Sequence, residues 1–276
     1  MAVNYASKYD SKIVERFKLK SLTEAAVNRD YDWSGVNTVN VYTVPITALV
    51  DYTISGLARY GVPTEQSTTI QTMVVAKDRA YAITIDKKTL QDTPLATLAG
   101  KTLAIQTDEV IIPEVDVYRL AAMSAAAITN LATQTLAITA GNAYSSFLKG
   151  TEFLGNKKVP LNGRICFCTY AFYSFLKQDP SFLMASDIAV EKRINGQMGE
   201  CDGVKIVPVP STYMPLTVAF IIAHPSATCA VKKLEDYKTH DNPPGINGAL
   251  LEGRIRYDCF VLTTKIDGLY SHKISI

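Results

Sequence analysis

The feature that most constrains the fold is a long apolar connection between two segments with strand-like sequences. Val36–Ile46 and Ile70–Ile85 are rich in β-branched residues that alternate with polar ones, a pattern that predicts two strands. The connection between them, Thr47–Thr69, is much longer than a tight turn requires. Long connections inside compact domains are uncommon and usually have a function or are disordered.

The composition of this connection leaves two interpretations open. From Leu49 to Pro63 it carries leucine, valine, isoleucine and tyrosine side chains rather than a run of Gly and Ser. It either folds back on its own domain or covers the surface of another molecule. The second interpretation is slightly favoured, because soluble monomers rarely expose large apolar patches.

The charge balance argues against a broad nucleic-acid-binding face. The 276 residues include 28 Lys and Arg against 26 Asp and Glu, a net charge of +2. A face that neutralises many phosphates requires a clear basic excess. Charged residues make up 20% of the chain, below the roughly 25% of typical soluble domains. Part of the surface is therefore expected to contact something other than water.

No segment predicts a membrane span or a secretory signal. The first thirty residues mix basic and acidic side chains and contain no apolar core. The two most apolar runs, Val117–Ile128 and Val204–Ala223, are interrupted by charged residues or prolines. Neither provides the roughly 18 uninterrupted residues that a membrane helix needs, so the sequence predicts a soluble protein.

A helical pattern occupies the region from Pro94 to Thr133. Pro113 is suited to the first position of a new helix, with Glu114 and Asp116 in a first turn where the helix dipole favours acidic groups. Helical spacing predicts a buried stripe whose only polar member is Ser124; its other members are Val117, Leu120, Ala121, Ala127, Ile128 and Leu131.

Several other elements are predicted along the chain. Before the helix, an amphipathic helix is expected at Ser11–Val27; after Thr139 the sequence becomes mixed α/β and aromatic, which indicates a second domain. The remaining predictions are a hairpin turn at Asp202-Gly203 between Gly196–Cys201 and Val204–Val209, a buried strand at Val218–Ala223, a loop at Asp241–Gly245, and a C-terminal hairpin of Arg254–Thr264 and Leu269–Ile274 around Asp267-Gly268.

Catalytic, metal and cofactor sites are not predicted. The five cysteines are odd in number and lack the C-x-x-C spacing of zinc and redox motifs, so they are interpreted as reduced thiols. Cys166 and Cys168 are expected to be buried on one face of a strand. The three histidines lie far apart in sequence, and neither a nucleophile elbow nor a His-Glu-x-x-His motif is present.

Five motifs resemble landmarks of the tailed-bacteriophage major capsid protein family. They are Val110–Leu120, Val159–Ile165, Tyr173–Lys177, Gly199–Pro210 and Arg256–Leu262. Their order and spacing follow the family over nearly the whole chain. Each motif alone is weak, but the set is fairly specific, and encapsulin nanocompartments share the same fold.

This resemblance implies an α+β fold with five parts. Residues 1–35 would form an N-terminal arm, 36–92 an extended β-hairpin loop, 93–137 a peripheral domain with a long spine helix, 138–248 an axial α/β domain, and 249–276 the C-terminal strands of the peripheral domain. The spine helix would carry Pro113, Asp116, Tyr118 and Arg119. The extended loop would lie over a neighbouring subunit, which it would contact through Leu49, Tyr52, Ile54, Leu57, Arg59 and Tyr60.

The function that the resemblance implies is structural. The chain would assemble with itself into hexamers and pentamers of an icosahedral or prolate head that encloses double-stranded DNA. A separate scaffolding protein and a portal protein would take part, and the packaged DNA would touch the shell only by weak non-specific contact. The protein would be found in the virion, and in the cytoplasm of the bacterial host during assembly.

Two departures from the family pattern lead to further expectations. In some members an isopeptide bond from a lysine on the extended loop crosslinks the subunits of the shell. No lysine lies between Ile46 and Lys77 here, so no covalent crosslink is expected. Other members carry an upstream scaffolding region that is cut away. The chain here begins at Met1, so a separate scaffold and an uncleaved N-terminus are expected.

Three other classes compete with the capsid interpretation. An encapsulin-like shell would enclose an enzyme cargo instead of DNA. A small-molecule hydrolase would require a clustered nucleophile and base, which the motifs do not supply. A monomeric or small-oligomer binding module would not form megadalton particles.

Overall fold

The computed structural model describes residues 21–31, 33, 38–88, 105–129, 133–135, 137–180 and 199–274. Within these residues lie helices α1 (Ile112–Thr129), α2 (Ala143–Asn156) and α3 (Tyr170–Gln178). The strands are β1 (Thr38–Thr43), β2 (Thr69–Val74), β3 (Lys77–Asp86), β4 (Thr133–Thr135), β5 (Ile165–Thr169), β6 (Glu200–Cys201), β7 (Val204–Val209), β8 (Val218–Ala223), β9 (Thr228–Asp241), β10 (Gly248–Val261) and β11 (Leu269–Lys273). The fold is α+β, as predicted. The helix expected at Ser11–Val27 lies mostly outside the described residues, which contain a short 3-10 helix at Glu24–Ala26.

The largest sheet has six strands in the order β4-β11-β8-β5-β7-β6. Strand β8 lies between β11 and β5, and every one of its residues is buried. A strand that is covered on both faces has a continuous run of apolar residues in its sequence. The strand predicted at Val218–Ala223 is therefore confirmed.

Successive residues of the central strands supply two separate cores. On one face, Phe220 packs against Phe147 of α2 and against Phe172 of α3, whose ring centroid is 4.5 Å away. On the other face, Phe167 and Ile221 belong to a cluster with helix α1. This alternation follows from the two-residue period of a strand.

A second sheet has three strands in the order β3-β10-β9. Strands β9 and β10 form a long antiparallel hairpin, and β3 pairs antiparallel with the other edge of β10. The sheet packs against the beginning of α1 through Ile111, Ile255 and Tyr257. Helix α1 therefore contacts both sheets, one at each end.

The predicted start of this helix at Pro113 is wrong. Helical backbone is present from Ile105, and a π-helical segment at Thr107–Ile111 leads directly into α1. The amide of Ile112 donates to the carbonyl of Thr107, five residues earlier. Proline has no amide hydrogen and its ring collides with the carbonyl four residues before it. A π-bulge widens the turn and so accommodates Pro113 within the helical run.

The predicted stripe on this helix is only partly correct. Leu120, Ser124 and Ala127 are buried, but Ala121 is exposed, and Val117 and Ile128 are 37% and 39% exposed. The buried side instead includes Met123 and the charged residues Asp116 and Arg119; Leu131 lies outside the described residues. Apolar residues occur around most of the helix, so their spacing could not single out the face that the two sheets cover.

The two predicted hairpin turns have opposite outcomes. Asp202 and Gly203 adopt positive φ angles of 50° and 70° and join β6 to β7, which confirms that hairpin. Strands β10 and β11 do not pair: the 3-10 helix Thr263–Gly268 separates them, and they enter different sheets. A Cβ added at Gly268 would lie 3.0 Å from that of Ala227, so close packing rather than a tight turn accounts for this glycine.

All five cysteines are buried and none is in a disulfide, which agrees with the prediction for Cys166 and Cys168. Burial raises the pKa of Cys229 to about 11 and that of Cys259 to about 12. Since the thiolate is the reactive form, these side chains are protonated and shielded at neutral pH.

The side chain of Arg164 lies buried beneath the end of helix α2. It donates to three carbonyl oxygens, those of Thr151, Val159 and Pro160, at 2.8–3.2 Å. Burial lowers the pKa of the guanidinium, which remains charged at neutral pH. One side chain thus links a carbonyl of α2 to two carbonyls of the following loop.

We expect the native thiols to resist modification. In the folded chain at pH 8, an aromatic disulfide reagent should label none of the five cysteines within an hour, and it should label all five in denaturant. Prompt labelling of the native chain, followed by absorbance, would contradict the burial described above.

We expect Arg164→Met to lower the free energy of unfolding by about 3 kcal/mol, because one buried and two partly buried carbonyls lose a charged donor. The matched control is Lys205→Met, which removes the same charge from an exposed position on β7 and should change stability by less than about 0.5 kcal/mol. Denaturant titration measures both. Equal effects of the two substitutions would show that the carbonyl contacts contribute nothing specific.

Candidate subunit interface

The extended hairpin, residues 38–74, consists of the antiparallel strands β1 and β2 and the long connection between them. Their register runs from Thr38 opposite Val74 to Thr43 opposite Thr69. Side chains of the connection are exposed: the exposed fractions are 101% for Leu49, 53% for Tyr52, 84% for Ile54, 108% for Leu57 and 86% for Tyr60. The loop does not fold back on its own domain, so the first of the two interpretations is wrong.

The end of the hairpin has a defined local structure although its side chains are exposed. The amide of Thr53 donates to the carbonyl of Arg59 at 3.1 Å, and the guanidinium of Arg59, itself exposed, donates to the carbonyl of Gly56 at 3.2 Å. The rings of Tyr52 and Tyr60 meet edge to face with centroids 5.0 Å apart. These contacts close the tip on itself, so the apolar side chains around it point outward.

One glycine is required for this closed tip. Gly61 has a φ of +81°, and a Cβ at this position would lie 2.6 Å from Cγ2 of Val50. A larger residue would therefore force the two sides of the loop apart and strain the backbone.

The sequence patterns missed further exposed apolar residues on this hairpin. On the outward face of its strands, Tyr42, Ile70 and Val74 are 65%, 55% and 46% exposed, and Tyr42 lies directly opposite Ile70. Val44, Ile46 and Val62 in the connection are exposed as well. The sequence pattern that could have indicated them is that β1 and β2 carry apolar residues on both faces, whereas an ordinary surface hairpin has one polar face.

The prediction of a single strand over Ile70–Ile85 is wrong. Strand β2 ends at Val74 and β3 begins at Lys77 in the other sheet. The amide of Ala76 between them donates to Oδ2 of Asp258 at 2.8 Å. A carboxylate 182 residues away thus takes a bond that a continuous ladder would have used, which is why local alternation could not indicate the break.

The four spine-helix residues named from the sequence all lie on or at the start of α1, inside the subunit. Asp116 accepts hydrogen bonds from the Ser21 and Thr23 hydroxyls and the Leu22 amide at 2.6–2.9 Å. Arg119 donates to Thr23 and to Glu24. These bonds tie the described end of the N-terminal segment to the helix, so the role of Asp116 is more specific than the dipole interaction predicted for it.

The remaining side chains at the start of α1 bind the three-stranded sheet. The Tyr118 hydroxyl donates to Oδ1 of Asp258 at 2.8 Å, and Glu114 accepts from the Tyr257 hydroxyl at 2.9 Å and pairs with Arg79 at 2.8 Å. Burial and the hydrogen bond to Asp258 raise the pKa of Tyr118 well above its ordinary value. The helix is therefore held to the sheet by specific polar contacts as well as by apolar packing.

The histidines of the described residues have separate structural surroundings. His224 bonds to Ser226 and to the carbonyl of Asn162, His240 lies 3.3 Å from Glu252, and buried His272 stacks on Phe220. Among the residues that the structure describes, no group of His, Cys, Asp and Glu has a metal-binding arrangement. None of the helices in the same part of the chain has the length and hydropathy needed to cross a bilayer.

No family model and no curated protein matches the chain. Its fold is similar over nearly the whole length to solved structures from phages. These include one from Mycobacterium phage Che8 (18% identity, TM-score 0.74, covering 97% of this chain and 96% of that chain), the capsid of cyanophage P-SCSP1u (11%, 0.78, 98% and 93%) and the mature capsid of bacteriophage PhiM1 (12%, 0.75, 98% and 92%). The chain therefore has the fold of tailed-phage major capsid proteins, as its sequence motifs predicted.

Proposed function

We propose that the protein is the major capsid protein of a tailed bacteriophage and that it assembles into hexamers and pentamers of a closed head around double-stranded DNA. The observation that carries the proposal is the extended hairpin. Its apolar side chains are exposed, although its tip is closed by contacts within the hairpin such as that between Tyr52 and Tyr60. The similar structures support it, because they include phage capsids over nearly the full length of this chain.

The exposed hairpin residues can supply the energy of assembly. Burying a leucine, isoleucine or valine side chain contributes roughly 1.5–3 kcal/mol. Leu49, Ile54 and Leu57 are each more than four-fifths exposed, so a neighbouring copy that covered them would gain several kcal/mol per hairpin. Each subunit of a shell makes many contacts, and such contacts reinforce one another.

The charge of the chain fits a wall that encloses DNA without binding it tightly. A net charge of +2 provides little counterion release, which is the main source of non-specific DNA affinity. The proposal includes a separate scaffolding protein and a portal protein as partners. It places the protein in the virion, and in the host cytoplasm during assembly, with a structural rather than a catalytic role.

The encapsulin-like alternative is less well supported. It shares the fold, but the similar structures described above include phage capsids. Purified particles distinguish the two: a phage head contains DNA, and an encapsulin contains an enzyme cargo.

Substituting exposed hairpin leucines should prevent assembly without unfolding the subunit. For the double variant Leu49→Asp/Leu57→Asp we expect at least a tenfold loss of closed shells, because two charges would have to be desolvated at each contact. The unfolding midpoint of the subunit should shift by no more than about 2 °C, since both side chains are exposed. Sedimentation and electron microscopy measure shells, and calorimetry measures the midpoint.

The matched control is Leu49→Met/Leu57→Met, which keeps apolar side chains of similar volume and should assemble like the wild type. If the aspartate variant gave as many closed shells as the wild type, the hairpin would not be part of the interface. A wild-type chain that forms no particles, even with its scaffolding protein, would contradict the proposed function.

The mature shell is expected to be held together without covalent bonds. No lysine lies between Ile46 and Lys77, so the connection between β1 and β2 has no amine for an isopeptide bond. On a denaturing gel, mature particles should give a single capsid band at the mass of one chain. A ladder of covalent multimers would show this expectation to be wrong.

A further inference from the structure

The extended hairpin is attached to the body of the subunit at the base of β1 and β2. Met73 and Val75 are buried there in a cluster with Cys229, Val231 and Leu262, and Val39 and Val41 of β1 pack against the same cluster. The attachment ends at Gln71. From residue 44 to residue 70 every side chain is exposed, and Gly61, the one half-buried residue, packs within the loop.

Gln71 makes three hydrogen bonds to the segment that follows β10. Its Nε2 donates to the carbonyl of Val261 at 2.9 Å, and its Oε1 accepts from the amide of Thr263 at 2.9 Å and from the Thr263 hydroxyl at 3.1 Å. The side-chain amide thus bonds both as donor and as acceptor, which an amide satisfies in only one orientation.

Asp258 provides the second point of attachment, at the corner between β2 and β3. Its Oδ2 accepts from the amide of Ala76, and its Oδ1 accepts from Tyr118 and from the Cys259 amide, each at 2.8 Å. Ala76 lies five positions after Gln71, or roughly 16 Å along an extended chain at about 3.3 Å per residue. Two fixed points at this distance define the direction of the hairpin.

The two attachments differ in what they control. From its place in β10, Asp258 bonds to the β2–β3 corner and to helix α1. It therefore belongs to the framework of the subunit and acts as the pivot. Gln71 is the outermost attachment before the exposed connection. A small rotation about the pivot moves the tip farther than it moves Gln71, so the bonds of Gln71 restrict where the apolar tip is presented.

We propose that Gln71 is a positioning residue for assembly, which holds the extended hairpin in the direction needed to reach a second copy of the chain. This inference rests on the proposed function. Its physical basis is pre-organisation: an interface segment that is already held in its bound orientation loses less freedom when it binds.

The test uses Gln71→Ala together with Gln71→Met, which retains the length and packing of the side chain but neither donates nor accepts. The matched control is Gln66→Ala, the same substitution at an exposed glutamine in the connection. Hydrogen exchange is measured on unassembled full-length subunits, and shell yield is measured by sedimentation under assembly conditions.

For both Gln71 variants we expect amide exchange in β1 and β2 to accelerate about tenfold. Without the three side-chain hydrogen bonds, local opening of these strands costs less free energy. Shell yield should fall at least fivefold, whereas exchange in the six-stranded sheet should stay at the wild-type rate. The Gln66 variant should match the wild type in every measurement.

The outcomes separate this inference from the proposed function. If Gln71→Met exchanges and assembles like Gln66→Ala, the hydrogen bonds do not position the hairpin and the inference is overturned, while the capsid role stands. The same holds if exchange accelerates equally in the six-stranded sheet, since Gln71 would then support the whole fold. If the wild type forms no shells but the hairpin loosens selectively, the capsid role fails and Gln71 still orients the hairpin.

Discussion

Helix α1 has to pack against two sheets at once, and the rest of the subunit is arranged around that requirement. Its first turns contact the three-stranded sheet through Val115 and Tyr118, and its later turns contact the six-stranded sheet through Leu120, Met123 and Ala127. Most of the stability of a helix in a protein comes from tertiary packing of this kind. Because the helix spans both sheets, it also fixes their relative position.

The buried polar residues of α1 connect this packing to the ends of the chain. Asp116 and Arg119 bind the segment at Ser21–Glu24, and Ser124 lies 3.3 Å from Ser271 of the last strand. A buried carboxylate with three donors is stabilising only when every donor is in place. The helix therefore determines where the N-terminal segment enters the fold.

The extended hairpin exposes its apolar side chains, whereas the body of the subunit buries them. Between Leu49 and Tyr60 the hairpin is held in shape by contacts within the loop. Such a surface is useful only if the body that carries it is rigid. Packing at α1 and the contacts at Asp258 and Gln71 supply that rigidity, which links the core of the subunit to its candidate interface.

Features that depend on local chemistry could be predicted from the sequence. The β-branched runs indicated strands near β1 and β8, the Asp202-Gly203 pair indicated a tight turn, and the apolar composition after Thr47 favoured a connection that does not fold back on its own domain. Three features became visible only in the folded chain: which side of α1 is buried, where the run from Ile70 breaks, and that β10 and β11 enter different sheets. They depend on partners distant in sequence: Asp258 lies 182 residues from Ala76, and Asp116 lies 93 residues from Thr23. Local periodicity carries no information about such partners, because it records which side chains prefer burial but not what will cover them.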